Sequence, residues 1–122
     1  MHIDIQTRGF TLTEGLRSHC ERRMRFALGP SSSRLSAISM RLTDINGPRG
    51  GVDKRVIIKA TLPGAPPVVV GHDEPDIYLA IDRAADRISR TLSRKLQRNW
   101  RARRGLFNRR APTDMEDTTL QH

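Results

Sequence analysis

Cysteine is almost missing from this chain. Cys20 stands alone among 122 residues, which excludes an internal disulfide and removes any sign of an oxidising compartment. No run of about 18 apolar residues occurs, so no membrane-spanning helix is expected. The opening MHIDIQTRGF also lacks the charged start, apolar centre and small-residue cleavage site of a secretory signal. A cytoplasmic location is the expectation that follows. Catalytic constellations are scarce too. His2, His19, His72 and His122 show no metal-ligand spacing, and no second cysteine joins them. No acid pair or nucleophile triad stands out. Neither an enzyme, a metal, a cofactor nor a small-molecule substrate is expected.

Three local patterns are assigned to structure rather than chemistry. HDEPD (72–76) reads as helix capping and dipole compensation, not as a metal cluster. GPRGG (47–51) precedes a strand, whereas a phosphate loop opens a helix, so it reads as a hairpin loop. Cys20 lies on the apolar side of a helix and is expected to be a small buried hydrophobe.

What the chain does have is charge of one sign. Hydrophobic residues make up 36%, charged residues 29%, and the net charge is +9. That balance suits a single soluble domain of modest core. The surplus is concentrated. Residues 82–104, DRAADRISRTLSRKLQRNWRARR, carry nine basic side chains against Asp82 and Asp86, while residues 1–81 carry 11 basic against 8 acidic. A surplus gathered in one segment is the footprint of a polyanion partner; uniform basicity would concern only solubility.

The periodicities predict elements in the order β-α-β-β-β-α. HIDIQTR (2–8) alternates as a half-buried strand. Thr13 caps a helix over 13–28, with Leu16, Cys20, Met24 and Ala27 at helical spacing, and GPSSS (29–33) stops it. SAISMRLTDI (36–45) and KRVIIKATL (54–62) alternate across NGPRGGVDK, and VVVGH (68–72) follows the turn PGAPP. Glu74, Pro75 and Asp76 open a last helix from 75 to about 103. The fold class expected is α+β, a four-stranded sheet with two helices packed on one face. Residues 1–104 are expected to form the binding domain and 105–122 a flexible tail.

The last helix separates its two functions by angle. At about 100° per residue, Arg83, Arg87, Arg90, Arg94, Arg98 and Arg101 fall within about 80° of one another, and Ile77, Ile81, Ala84, Ile88 and Leu92 occupy an adjoining sector. Tyr78, at helical spacing from Ile77 and Ile81, is assigned to the core or its edge; Trp100 falls on neither stripe. Like charges at i,i+4 repel by a few tenths of a kcal/mol per pair, so such a row costs stability. Guanidinium groups grip phosphate in a fork that ammonium cannot match. The open sheet face would show Asp4, Gln6, Arg8, Ser39, Arg41, Thr43, Ile57, Lys59 and Thr61, with no aromatic for base stacking. Recognition is therefore expected to follow backbone and shape rather than sequence.

The stretch DIYLAIDRAADRISRTLSRKLQR (76–98) resembles the long helix of the ribosome hibernation-promoting factor and ribosome-associated inhibitor family, also called sigma-54 modulation proteins. There an Asp-Met-Tyr-x-Ala-Ile-Asp pattern precedes basic residues at three- and four-residue steps. IDIQTRGFTLTEGLRSHCERRM (3–24) is similar to the family's opening, and the resemblance spans residues 1–98. It implies a cytoplasmic protein that occupies the messenger and transfer RNA channel of the small subunit, binds 16S rRNA and blocks translation under stress. The contacts it implies are Arg23, Arg87, Arg90, Arg94, Lys95 and Arg98, which Arg83 and Arg101 join on angle. The family's basic position near 26 is Phe26 here, with Arg22 and Arg25 beside it. The glycine-rich NGPRGG and the basic extension WRARRGLFNRR also depart from the pattern. The length suits a short form without a C-terminal dimerisation domain, expected to be monomeric off the ribosome; whether it promotes or prevents ribosome dimers stays open. Two rival readings remain: a general nucleic-acid or transcription-associated modulator, and a protein-interaction module using the open sheet face.

Overall fold

In the computed structural model of the chain, residues 2–45 and 53–107 are described. The elements follow the expected order: β1 (Ile3–Arg8), α1 (Glu14–Leu28), a 3-10 segment (Gly29–Arg34), β2 (Ala37–Asp44), β3 (Lys54–Thr61), β4 (Val68–Glu74) and α2 (Ile77–Phe107). The four strands form one mixed sheet in the order β1-β2-β3-β4. β1 runs parallel to β2, and the other two pairings are antiparallel. The parallel pair follows from the connection, since α1 must carry the chain back before β2 can begin.

Alternation decides the faces. Ile3 and Ile5, Ile38, Met40 and Leu42, Val56, Ile58 and Ala60, and Val68 and Val70 are all buried. Their in-between neighbours Asp4, Gln6, Arg41, Lys59 and Val69 are exposed. Leu16, Cys20, Met24 and Leu28 from α1 are buried, as are Ala80, Ile81, Ala84, Ala85 and Ile88 from α2. Both helices thus cover one face of the sheet, and among the described residues no element covers the other. Ala80, Ala84 and Ala85 are fully buried on α2, and Ile81 and Ile88 supply apolar area at roughly 1.5–3 kcal/mol each. That outweighs the few tenths per pair lost to arginine repulsion along the same helix.

Caps mark the helix starts. Thr13 Oγ1 accepts from Leu16 N at 3.1 Å, as Thr13 was expected to do. For α2 the cap is Asp76, whose Oδ1 accepts from Tyr78 N at 3.0 Å and whose carbonyl accepts from Ala80 N at 2.9 Å. The helix therefore begins two residues later than expected. Pro75 lies outside it, and β4 extends to Glu74 because Lys54 to Ala60 of β3 pair along its whole length. The other HDEPD acids serve the sheet: Asp73 pairs with Arg55, and Glu74 with His72. At its far end α2 continues to Phe107, so the first three residues of the expected tail are helical; 108–122 lie outside the described residues.

Gly9 turns the chain out of β1 with φ 91°, and a Cβ there would come 3.0 Å from Asp44 Cβ. The positive φ favours glycine, and the close approach adds crowding. The chain divides into two compact units, Met1–Ser89 and Arg90–His122. The first holds the sheet, α1 and the opening turns of α2.

Candidate nucleic-acid interface

Within the first unit, three sectors divide the surface of α2. Ile81, Ala84 and Ile88 face the core. About 100° to one side lie Tyr78, Asp82 and Asp86, and on the other side lie Arg83 and Arg87. Each polar sector meets a different neighbour.

The acidic sector meets α1. His19 Nε2 lies 2.8 Å from Asp82 Oδ1. Arg23 reaches both acids: its Nη2 donates to Asp86 Oδ1 at 3.2 Å and to the Asp82 carbonyl at 3.4 Å. Arg23 Nε lies 3.1 Å from Asp82 Oδ1 as an ion pair, without the alignment of a hydrogen bond. The Tyr78 ring meets His19 edge-on, with centroids 5.0 Å apart and planes at 72°, and its hydroxyl approaches Gly15. The contacts 15 to 78, 19 to 82 and 23 to 86 advance by four residues on both helices. Two helical faces running in the same direction produce that ladder. Tyr78 is thus an exposed residue resting edge-on against His19, and it does not enter the core.

Consequently the two acids that oppose the basic run are engaged by His19 and Arg23 of α1. Arg23, implied as a phosphate contact, has its guanidinium engaged by them. Arg22 and Arg25, flanking it, are exposed; Arg25 lies 3.9 Å from Glu21.

The arginine sector faces outward and toward β4. Arg83 and Arg87 are exposed, and Arg87 Nη1 donates to the Gly71 carbonyl at 3.2 Å. Gly71 leaves that carbonyl accessible at the sheet edge, where Arg55, His72, Asp73 and Arg87 rim a shallow depression. In the second unit, Arg90, Arg94 and Arg98 are exposed and Lys95 is half-buried. The side chain of Arg101 lies outside the described residues. Among the described residues no carboxylate pairs with Arg83, Arg90, Arg94 or Arg98. Exposed guanidinium groups can neutralise phosphates; they cannot perform acid–base or nucleophilic chemistry. Among the described residues no group of three or more His, Cys, Asp or Glu side chains is placed to hold a metal ion.

Sequence reasoning missed the ladder of Tyr78, His19, Asp82 and Asp86. Its signal was present, since His19 and Arg23 share the four-residue spacing of Asp82 and Asp86. Nothing in one sequence, however, says which helices adjoin.

A family model described as sigma 54 modulation protein / S30EA ribosomal protein matches residues 3–99. The chain belongs to this family. The match ends within α2, one residue past Arg98, so it takes in both arginine-bearing helices. Among solved structures, a ribosomal subunit interface protein from Coxiella burnetii shares the fold: TM-score 0.68, 21% identity, 80% of this chain and 99% of that one. The N-terminal domain of Protein Y from Thermus thermophilus is similar at TM-score 0.61 and 26% identity, covering 77% and 98%. None of the curated proteins compared matches the chain. The family expected from the residue 76–98 motif is therefore the family found.

Proposed function

We propose that this protein is a translation-inhibiting hibernation factor that binds 16S rRNA of the small ribosomal subunit in the messenger and transfer RNA channel. The observation that carries the reading is the set of exposed α2 arginines, Arg83, Arg90, Arg94 and Arg98, that have no carboxylate partner among the described residues. Membership of a family described as S30EA ribosomal protein supports the partner. The contact surface comprises Arg83, Arg87, Arg90, Arg94, Lys95, Arg98 and Arg101 of α2 with Arg22, Arg23 and Arg25 of α1. Arg23 contributes chiefly by holding the helices together. The protein acts in the cytoplasm, as a monomer when off the ribosome, and blocks the channel by occupancy without catalysing a reaction. No helix of the described residues is long and apolar enough to cross a membrane.

The test is sedimentation of cell lysates together with binding to purified 30S subunits. Wild-type protein is expected in ribosomal fractions and to leave them at high salt. Arg90→Glu with Arg94→Glu should fold normally yet lose the subunit. Equal affinity of that variant at matched ionic strength would remove α2 from the mechanism. A protein-interaction module working through Ile57, Val69 and their polar surround on the opposite sheet face would instead ignore salt.

A further inference from the structure

Phe26 stands where an aromatic ring has no structural work to do. It is 79% exposed, against 41% for Tyr78, whose ring is held by His19. Being two residues from Met24 and two from Leu28, it points away from the buried face of α1. About the helix axis it lies within about 40° of Arg22 and about 60° of Arg23. The Arg23 guanidinium sits 5.9 Å from its ring centroid, at the outer limit of a cation–π contact. Because Asp82 and Asp86 hold that guanidinium in place, one side of the ring has a fixed cationic neighbour, and the ring is otherwise open to solvent.

Resting on the ribosomal reading above, we infer that Phe26 is a stacking platform for an unpaired RNA base whose flanking phosphates are taken by Arg22 and Arg25. The surroundings choose between occupants. A protein-docking patch gathers several apolar side chains around an aromatic. Among the described side chains of α1 within one turn, the exposed ones are Arg22 and Arg25, with Ala27 only half-exposed. A lone aromatic face framed by guanidinium groups matches a nucleotide, with a flat π-surface at the base and charge at the phosphates. The row on α2 reads only backbone. Phe26 adds a contact that demands an extruded base, so the protein would favour a single-stranded or bulged feature over continuous duplex.

The experiment titrates full-length wild type, Phe26→Ala, Phe26→Leu and Phe26→Tyr onto purified 30S subunits, at fixed ionic strength and across a salt series. Because the ring is exposed, all variants should melt with the wild type. Loss of stacking should weaken Phe26→Ala by about 5- to 100-fold, Phe26→Leu should fall with it, and Phe26→Tyr should stay near wild type. The slope of log affinity against log salt should not change, since a phenyl ring neutralises no phosphate. Wild-type affinity in Phe26→Ala overturns the inference. So does full binding by Phe26→Leu, which would mean an apolar protein pocket. The two readings fail separately: an Arg90→Glu, Arg94→Glu variant that binds normally removes the α2 row and leaves Phe26 standing, whereas a wild type with no 30S affinity removes both.

Discussion

Cys20 shows how far a single residue's chemistry follows from its surroundings. It is fully buried beneath α1, and burial, with a smaller contribution from Glu21, pushes its thiol up to about 12. A thiol so protonated is a poor nucleophile. Alkylation at pH 8 should therefore proceed only at the rate of unfolding, and modification at the speed of a free thiol would mean that α1 is not seated as described. Glycines divide by geometry. Gly9 has positive φ and a Cβ there would crowd Asp44 Cβ at 3.0 Å, so Gly9→Ala should destabilise by about 1–3 kcal/mol. A Cβ on Gly15 would meet Tyr78 Oη at an ordinary 3.8 Å, so Gly15→Ala should be neutral or stabilising by up to about 1 kcal/mol. Thermal melts of the pair check both signs. One of these residues was legible from sequence and the other two were not. Cys20 sits at i+4 from Leu16 and i−4 from Met24, which places it in the core. The φ of Gly9 and the neighbours of Gly15 depend on β2 and α2, which are distant in sequence.

At the scale of elements, the ladder between α1 and α2 is the feature with measurable coupling. Arg23 is 26% exposed and Asp86 57%, so water screens the pair, and a double-mutant cycle of Arg23→Ala and Asp86→Ala should return about 0.2–1 kcal/mol, shrinking as salt is added. A value of zero at low salt would mean that this pair adds nothing to the joining of the two helices. The hairpin of β3 and β4 carries its own ion pair, Arg55 Nε and Nη2 to the two Asp73 oxygens at 2.9 and 3.0 Å. Hydrogen bonds from Arg55 hold the Asp73 carboxyl below the usual carboxylate range. Its folded value being depressed, the pair stabilises the fold above the unfolded value of about 3.9, and that contribution disappears as pH falls through the lower folded value. Asp73→Asn should thus melt below wild type at neutral pH, with the gap closing under acid conditions. A gap that is constant with pH would assign the difference to something other than charge. Element order was readable because strand alternation and helical spacing are local. The start of α2 was misplaced by two residues because Pro75 fits a first turn well, while pairing with β3 keeps the chain extended through Glu74.

For the whole molecule, the decisive quantity is how charge is distributed. Nine of 22 basic residues fall between 82 and 104, and folding turns the two acids of that run toward α1. If about six phosphates are neutralised, a fourfold rise in salt should weaken 30S binding on the order of 300-fold or more. Affinity that is flat with salt would remove the polyanion as partner. Residues 1–98 already specified the α+β class, both amphipathic helices and the arginine row, because each depends on periodicities of two or 3.6 residues within one segment. Tertiary structure decided what those segments meet. It placed Arg23 against Asp82 and Asp86, set Arg87 on the Gly71 carbonyl and left Phe26 uncovered. Those outcomes depend on which surfaces come together across 16 to 63 residues of chain, and a pattern confined to one helix carries no record of its neighbour.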